Sequence, residues 1–154
     1  MEAKLLIDNQ WTDALDGATF DRHHPVSNEV VTKASAAGVA DAVKAVESAH
    51  AAFKSWKRSA PSERRRLLLK AADILEAKTP QFIEAVAAET GATGMWAGFN
   101  VFLAAGMIRE AAALTTQING EVIPSDVPGN LAMGVRQPAG VVLGIAPWNA
   151  PVIL

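Results

Sequence analysis

Apolar and polar positions along the chain change their spacing several times, and each change marks an element. Leu5-Leu6-Ile7 and Trp11 flank Asp8-Asn9-Gln10, and Val30-Val31-Thr32 follows a second polar stretch at Pro25–Glu29. Short polar side chains between apolar runs bend the backbone, so short strands joined by turns are expected in this first segment. From Gly38 the spacing becomes helical: Val39, Val43, Val46, Phe53 and Trp56 share one stripe, while Lys44, Glu47, Lys54 and Lys57 fall on other faces. That pattern predicts an amphipathic helix of about five turns. A second helix begins near Pro61-Ser62-Glu63, where a proline and a carboxylate suit a first turn, and sets Leu68, Ala71, Ala72 and Leu75 on one side. A third starts at Thr79-Pro80, with Thr79 as N-cap and Gly91 as the C-terminal stop.

A fourth helix is predicted from about Met95 to Ile118, closed by Asn119-Gly120. Trp96, Phe99 and Leu103 lie on a common stripe of it, and Gly98 and Gly106 leave room for another backbone. Beyond Gly120 the period returns to two. Val122-Ile123 and Ala132–Arg136 flank Pro128-Gly129-Asn130, the pattern of a two-stranded arm with a turn. Gly140–Ile145 (GVVLGI) then reads as a short strand buried on both faces of a parallel sheet. The fold class is helix-dominated α/β. A parallel strand needs neighbouring strands and helices on both faces, and nothing follows Leu154 to supply them. The chain is therefore expected to be the N-terminal piece of a larger protein.

Composition narrows the function classes. The chain of 154 residues carries 14 Lys and Arg against 16 Asp and Glu, and it has no cysteine. A globular chain of this size can bury roughly two-thirds of its unfolded surface. The charge balance argues against a nucleic-acid grip, because the only basic run, Arg64-Arg65-Arg66, is preceded by Glu63 and reads as a solvated helix face. Disulfides, cysteine-based zinc sites and a cysteine nucleophile are excluded within these residues. His23 and His24 are adjacent in a loop beside Pro25, which does not give the one-face spacing of a helical metal site, so no metal is expected.

Two uncharged stretches are long enough to be tested as membrane spans. Thr90–Ile108 contains two threonines, Asn100 and four glycines, and Gln137–Leu154 contains three prolines, so neither is expected to span a bilayer. The first residues, Met1-Glu2-Ala3-Lys4, lack the features of a secretory signal, and a cytoplasmic location is the default expectation.

Four ordered motifs carry a family resemblance. Arg136–Pro151 (RQPAGVVLGIAPWNAP) resembles the entry to the dinucleotide-binding domain of the NAD(P)-dependent aldehyde dehydrogenase superfamily. Ala49–Leu75 is similar to that family's AFxxW, ER and LxxxAdxL pattern, Glu89-Thr90-Gly91 to its ETG, and Gly120–Pro124 to its GexiP. The resemblance implies an aldehyde dehydrogenase-like fold in which residues 1–119 form the helical and short-strand part of the cofactor domain. Residues 120–138 would form a β-arm for oligomerisation, and residues 139–154 the first parallel strand and turn of the dinucleotide-binding sheet. A homodimer or dimer of dimers follows from the arm.

The resemblance also implies a mechanism. A cysteine thiolate attacks an aldehyde, hydride passes to the cofactor, and a glutamate activates water to release the acid. Asn149 matches the asparagine whose side-chain amide donates to the oxyanion; from its spacing alone it could equally turn the chain after a strand. Ile145, Ala146, Pro147 and Trp148 match the segment that lines the nicotinamide and ribose, or they are a buried strand end. The cofactor implied is NAD, with NADP left open, since the positions that choose between them in the family fall beyond Leu154.

Many family members have Phe after this asparagine, whereas Ala150 stands here and should widen the aldehyde tunnel. Trp96, Phe99 and Leu103 match tunnel-lining positions, although the same stripe would also suit simple helix core. Large flat side chains beside a widened slot suit an aromatic aldehyde such as salicylaldehyde, benzaldehyde or vanillin. The resemblance therefore implies an oxidoreductase acting on a small aldehyde, whose nucleophile lies outside this chain. The 154 residues alone are expected to be inactive and to fold poorly. A non-catalytic structural protein with the same fold is the alternative.

Overall fold

The computed structural model describes all residues 1–154 and begins with two small β-assemblies rather than one large sheet. Strands β2 (Leu5–Ile7) and β3 (Gln10–Thr12) form an antiparallel hairpin. Asp8 and Asn9, with φ of 53° and 61°, supply its two-residue left-handed turn, a role that short polar side chains accept. The expected strand at Val30 extends to Ser35 as β5, the centre of a sheet in which β1 (Glu2–Ala3) pairs parallel and β4 (Thr19–His23) antiparallel. Neither β1 nor β4 has a clear apolar alternation, and both are set by pairing with β5. The loop from β4 to β5 closes on itself: His24 Nδ1 accepts the amides of Val26 and Ser27 at 3.2 Å, and His23 Nδ1 lies 3.0 Å from the Asn28 carbonyl oxygen.

Four helices follow in the expected order: α1 (Val39–Trp56), α2 (Pro61–Ala77), α3 (Thr79–Thr90) and α4 (Gly94–Leu114). Buried Asp41 ties α1 to the N-terminal segment, its Oδ2 accepting the Gly38 amide at 2.9 Å and its Oδ1 the Leu15 amide at 3.0 Å. Pro61 opens α2 as predicted, but of the four residues assigned to its inner side only Ala72 is fully buried and Ala71 is exposed. Thr79 is not an N-cap. Lys78 holds that place, and the Thr79 hydroxyl turns back to donate to the Glu76 carbonyl at 2.6 Å, joining α2 to α3. Gly91 does stop α3, in the left-handed region at φ 68°.

Helix α4 packs against α2 and α3. Its inner face is made of small residues, Ala97, Asn100, Val101, Ala104, Ala105 and Ala112, all within 4% of full burial. At Gly98 the Ile83 side chain of α3, not its backbone, comes near, and Gly106 has open space beside it, so the close backbone approach expected at these glycines does not occur within these residues. The helix ends at Leu114 instead of near Ile118, because the Thr115 hydroxyl and amide both turn to the Ala112 carbonyl. By length and composition α4 would be able to cross a membrane, yet a third of its apolar window is buried inside this fold.

The two-stranded arm forms as predicted, with β6 (Glu121–Ile123) antiparallel to β7 (Ala132–Gly134) and Gly129 at φ 82° in the turn. The final strand does not. Gly140–Ile145 forms no strand, and Val142, Leu143 and Ile145 are 78–87% exposed, because no strand of these 154 residues pairs with its backbone. The apolar stripe of α1 is likewise uncovered at Val39, Val43, Val46 and Trp56. Only 14 of the 154 residues are buried, a small core for a chain of this length.

Candidate functional site

The chemistry-bearing segment sits at the C-terminal end as a turn. Trp148–Ile153 curls after the unpaired run, and the Leu154 amide donates to the Ala150 carbonyl at 3.2 Å. Asn149 is exposed at the apex, with no side-chain hydrogen bond inside the chain, so its amide NH2 is free to donate outward. Ala150 alone of this turn is buried, at 7% exposure. Ile145 and Trp148 are 87% and 81% exposed, and Ala146 and Pro147 are exposed between them. Together these four present an open apolar surface beside Asn149.

Trp148 and Pro151 line a cleft of about 370 Å³ whose opposite wall is built by β4, β5 and the end of α3. Arg22, Thr32, Glu89 and Thr90 supply its polar groups. The Thr32 hydroxyl donates to Glu89 Oε1 at 2.6 Å, and Arg22 Nε stands 3.8 Å from Glu89 Oε2. Glu89 belongs to the ETG motif, but its partners are 57 and 67 positions away in sequence, and no local pattern links them.

Trp96 and Phe99 are neighbours on α4, ring centroids 5.8 Å apart at 31°. They are 44% and 46% exposed and Leu103 is 36% exposed, so the stripe lies beside the inner face of α4 rather than forming it. Thr93, the N-cap, accepts the Trp96 amide at 3.2 Å and fixes the first turn that carries this ring. Asn100, fully buried, donates through Nδ2 to the Trp96 carbonyl at 2.8 Å, while its Oδ1 has no partner. Sequence reasoning passed over Asn100, since an isolated Asn in an apolar helix gives no sign of which way it faces. The cleft lined by Trp148 and Pro151 includes none of Trp96, Phe99 and Leu103. No group of three or more His, Asp or Glu side chains converges as a metal site.

The strongest charge cluster is remote from this turn. Arg109 of α4 donates to both carboxylate oxygens of Glu76 at 2.7 Å and to Asp73 at 2.8 Å. Its guanidinium holds Glu76 below the ordinary carboxylate range, and the two carboxylates raise Arg109 above its own. This clamp fastens α2 to α4.

Residues 11–154 match the Aldehyde dehydrogenase family. The whole chain is 55% identical to a salicylaldehyde dehydrogenase of Pseudomonas putida and 60% identical to a vanillin dehydrogenase of Pseudomonas fluorescens, covering 32% of each. Among solved structures, a salicylaldehyde dehydrogenase from Pseudomonas putida G7 complexed with salicylaldehyde superposes with a TM-score of 0.97. That match has 55% identity over 99% of this chain and 32% of the other. An NAD-dependent benzaldehyde dehydrogenase from Corynebacterium glutamicum superposes at 0.79, with 27% identity over 84% of this chain and 28% of the other. The chain thus spans about a third of the length of the curated relatives it matches. With its motifs, helix order and arm accounted for over these residues, the chain belongs to the aldehyde dehydrogenase family.

Proposed function

We propose that the whole protein oxidises an aromatic aldehyde of the salicylaldehyde class to its carboxylate with NAD or NADP as hydride acceptor, and that these residues supply the oxyanion donor. The observation that carries this reading is the similarity over the full chain to dehydrogenases named for salicylaldehyde and vanillin. The exposed amide of Asn149 supports it, standing beside the open apolar surface of Ile145–Trp148.

Asn149 donates its side-chain N–H to the aldehyde oxygen as a nucleophile adds to the carbonyl carbon. A neutral amide held at that point stabilises the charge that grows on oxygen without adding charge of its own, and it favours the transition state over the ground state. The nucleophile is a cysteine outside these 154 residues, which have none. Ile145, Ala146, Pro147 and Trp148 hold the nicotinamide side of the cofactor, whose chemistry when bound is to accept hydride. Trp96 and Phe99 offer flat rings and Leu103 an aliphatic side chain to the substrate ring, and Ala150 is smaller than the Phe that many family members have at this place. The exposed β6–β7 ribbon pairs with a second copy, because two isolated strands are marginal in water.

The test is product analysis. Full-length protein incubated with salicylaldehyde and NAD is expected to yield salicylate and NADH in equal amounts, and the isolated 154-residue chain neither. Formation of salicyl alcohol, or no turnover of any aromatic aldehyde by the full-length protein, would refute the proposal.

A further inference from the structure

Glu89 occupies a costly place. It is the penultimate residue of α3, where a carboxylate meets the negative end of the helix macrodipole, so helix stability does not explain it. What it gains lies in the sheet: a hydrogen bond from Thr32, itself 3% exposed, to one oxygen, and Arg22 facing the other. The three side chains cross-brace β4, β5 and the end of α3. The braced surface is also one wall of the cleft whose other side is Trp148 and Pro151, the residues on either side of Asn149-Ala150.

We infer that Glu89 is a positioning residue for Asn149, acting through the cleft wall that Trp148 and Pro151 face. The inference depends on the oxyanion role proposed for Asn149. A braced wall across the cleft from both flanks of the turn limits how far its apex can shift, and an oxyanion donor is sensitive to such placement. Displacement of a catalytic group by about 1 Å can cost on the order of a hundredfold in rate. Arg22 and Glu89 are 46% and 29% exposed at their side chains, so the Thr32 hydrogen bond is the stronger half of the brace and the ion pair the weaker.

The test is a double-mutant cycle on the full-length protein, using Glu89→Ala and Asn149→Ala, with turnover, NADH affinity by fluorescence and thermal midpoint measured for each variant. In the Asn149 background Glu89→Ala is expected to lower kcat by about tenfold to a hundredfold with NADH affinity unchanged. In the Asn149→Ala background the same change should cost less than about twofold, because the group it positions is gone. Glu89→Gln, which keeps an acceptor for Thr32, should retain most of the turnover. Thr32→Val removes only the donor and keeps the volume; it carries the test should Glu89→Ala fail to fold, and it should show the same background dependence. Equal losses in both backgrounds would make Glu89 merely structural and overturn the inference, as would unchanged kcat in Glu89→Ala or Thr32→Val. Unchanged turnover in Asn149→Ala alone would instead contradict the oxyanion role beneath it.

Discussion

Arg109 and Glu76 meet through two parallel hydrogen bonds of 2.7 Å, fork to fork, across the contact between α2 and α4. The arrangement is the directional one that a planar guanidinium makes with a carboxylate, and Lys would not reproduce it. Because Glu76 is held below its ordinary range, its contribution to stability is fully present above the usual carboxylate pKa and disappears as pH falls through the lowered value. Arg109 stays protonated throughout, so only the carboxylate titrates in that window. Replacing Arg109 with Met in the full-length protein should lower the thermal midpoint at neutral pH and flatten its decline on the acid side. Both differences should shrink in high salt, since the pair is partly exposed. Midpoints measured from neutral to acid pH at two salt concentrations check this.

Asp41 is a second fastening that works by a different rule. It is 3% exposed and accepts two backbone amides, one opening α1 and one from the segment after the N-terminal hairpin. Asp41→Ala leaves both amides without partners and should cost about 1–3 kcal/mol, measured by denaturant unfolding of the full-length protein. Asp41→Asn, which keeps one oxygen acceptor, should lose less. Equal losses would mean that packing rather than hydrogen bonding sets the effect.

The oxyanion role makes a kinetic prediction. Asn149→Ala in the full-length protein should lower kcat by about 10²–10³ with NADH affinity nearly unchanged. A large fall in cofactor affinity with kcat preserved would move Asn149 out of the oxyanion role and into cofactor binding.

Ala150 leads to a test of pocket shape. It is 7% exposed, so a larger side chain there must displace what covers it and move the turn that carries Asn149. Ala150→Phe should raise KM for an aromatic aldehyde while sparing a short aliphatic one, read from steady-state kinetics with both substrates. A uniform loss with both would point to damage of the turn.

Most of the chain's order was legible because helices announce themselves locally. The stripe from Val39, the proline at Pro61 and the stop at Gly91 each depend on residues a few positions apart, and each appears in the structure where the spacing puts it. Distant pairings were not legible. Strand β4 exists because β5 accepts it, and Glu89 finds Thr32 and Arg22 only after the sheet and α3 have packed together. Thr79 misled for a related reason: a hydroxyl can cap a helix start or turn back to a carbonyl, as that of Thr115 also does, and the packing of the neighbouring turn decides which.

At the candidate site, the Asn149 motif was legible as a unit because its residues are consecutive, although the strand expected before it requires partners these residues do not contain. The α4 stripe was legible as a stripe but not as a face. Alanines, which carry little pattern, turned out to make the buried side and left Trp96 and Phe99 half exposed.

The central proposal is that the whole protein oxidises an aromatic aldehyde, and one ratio tests it most directly. With purified full-length protein and saturating NAD, kcat/KM for salicylaldehyde should exceed that for a short aliphatic aldehyde such as propanal by at least about tenfold, the discrimination available from a well-filled apolar pocket. Equal values, or a preference for propanal, would contradict the account.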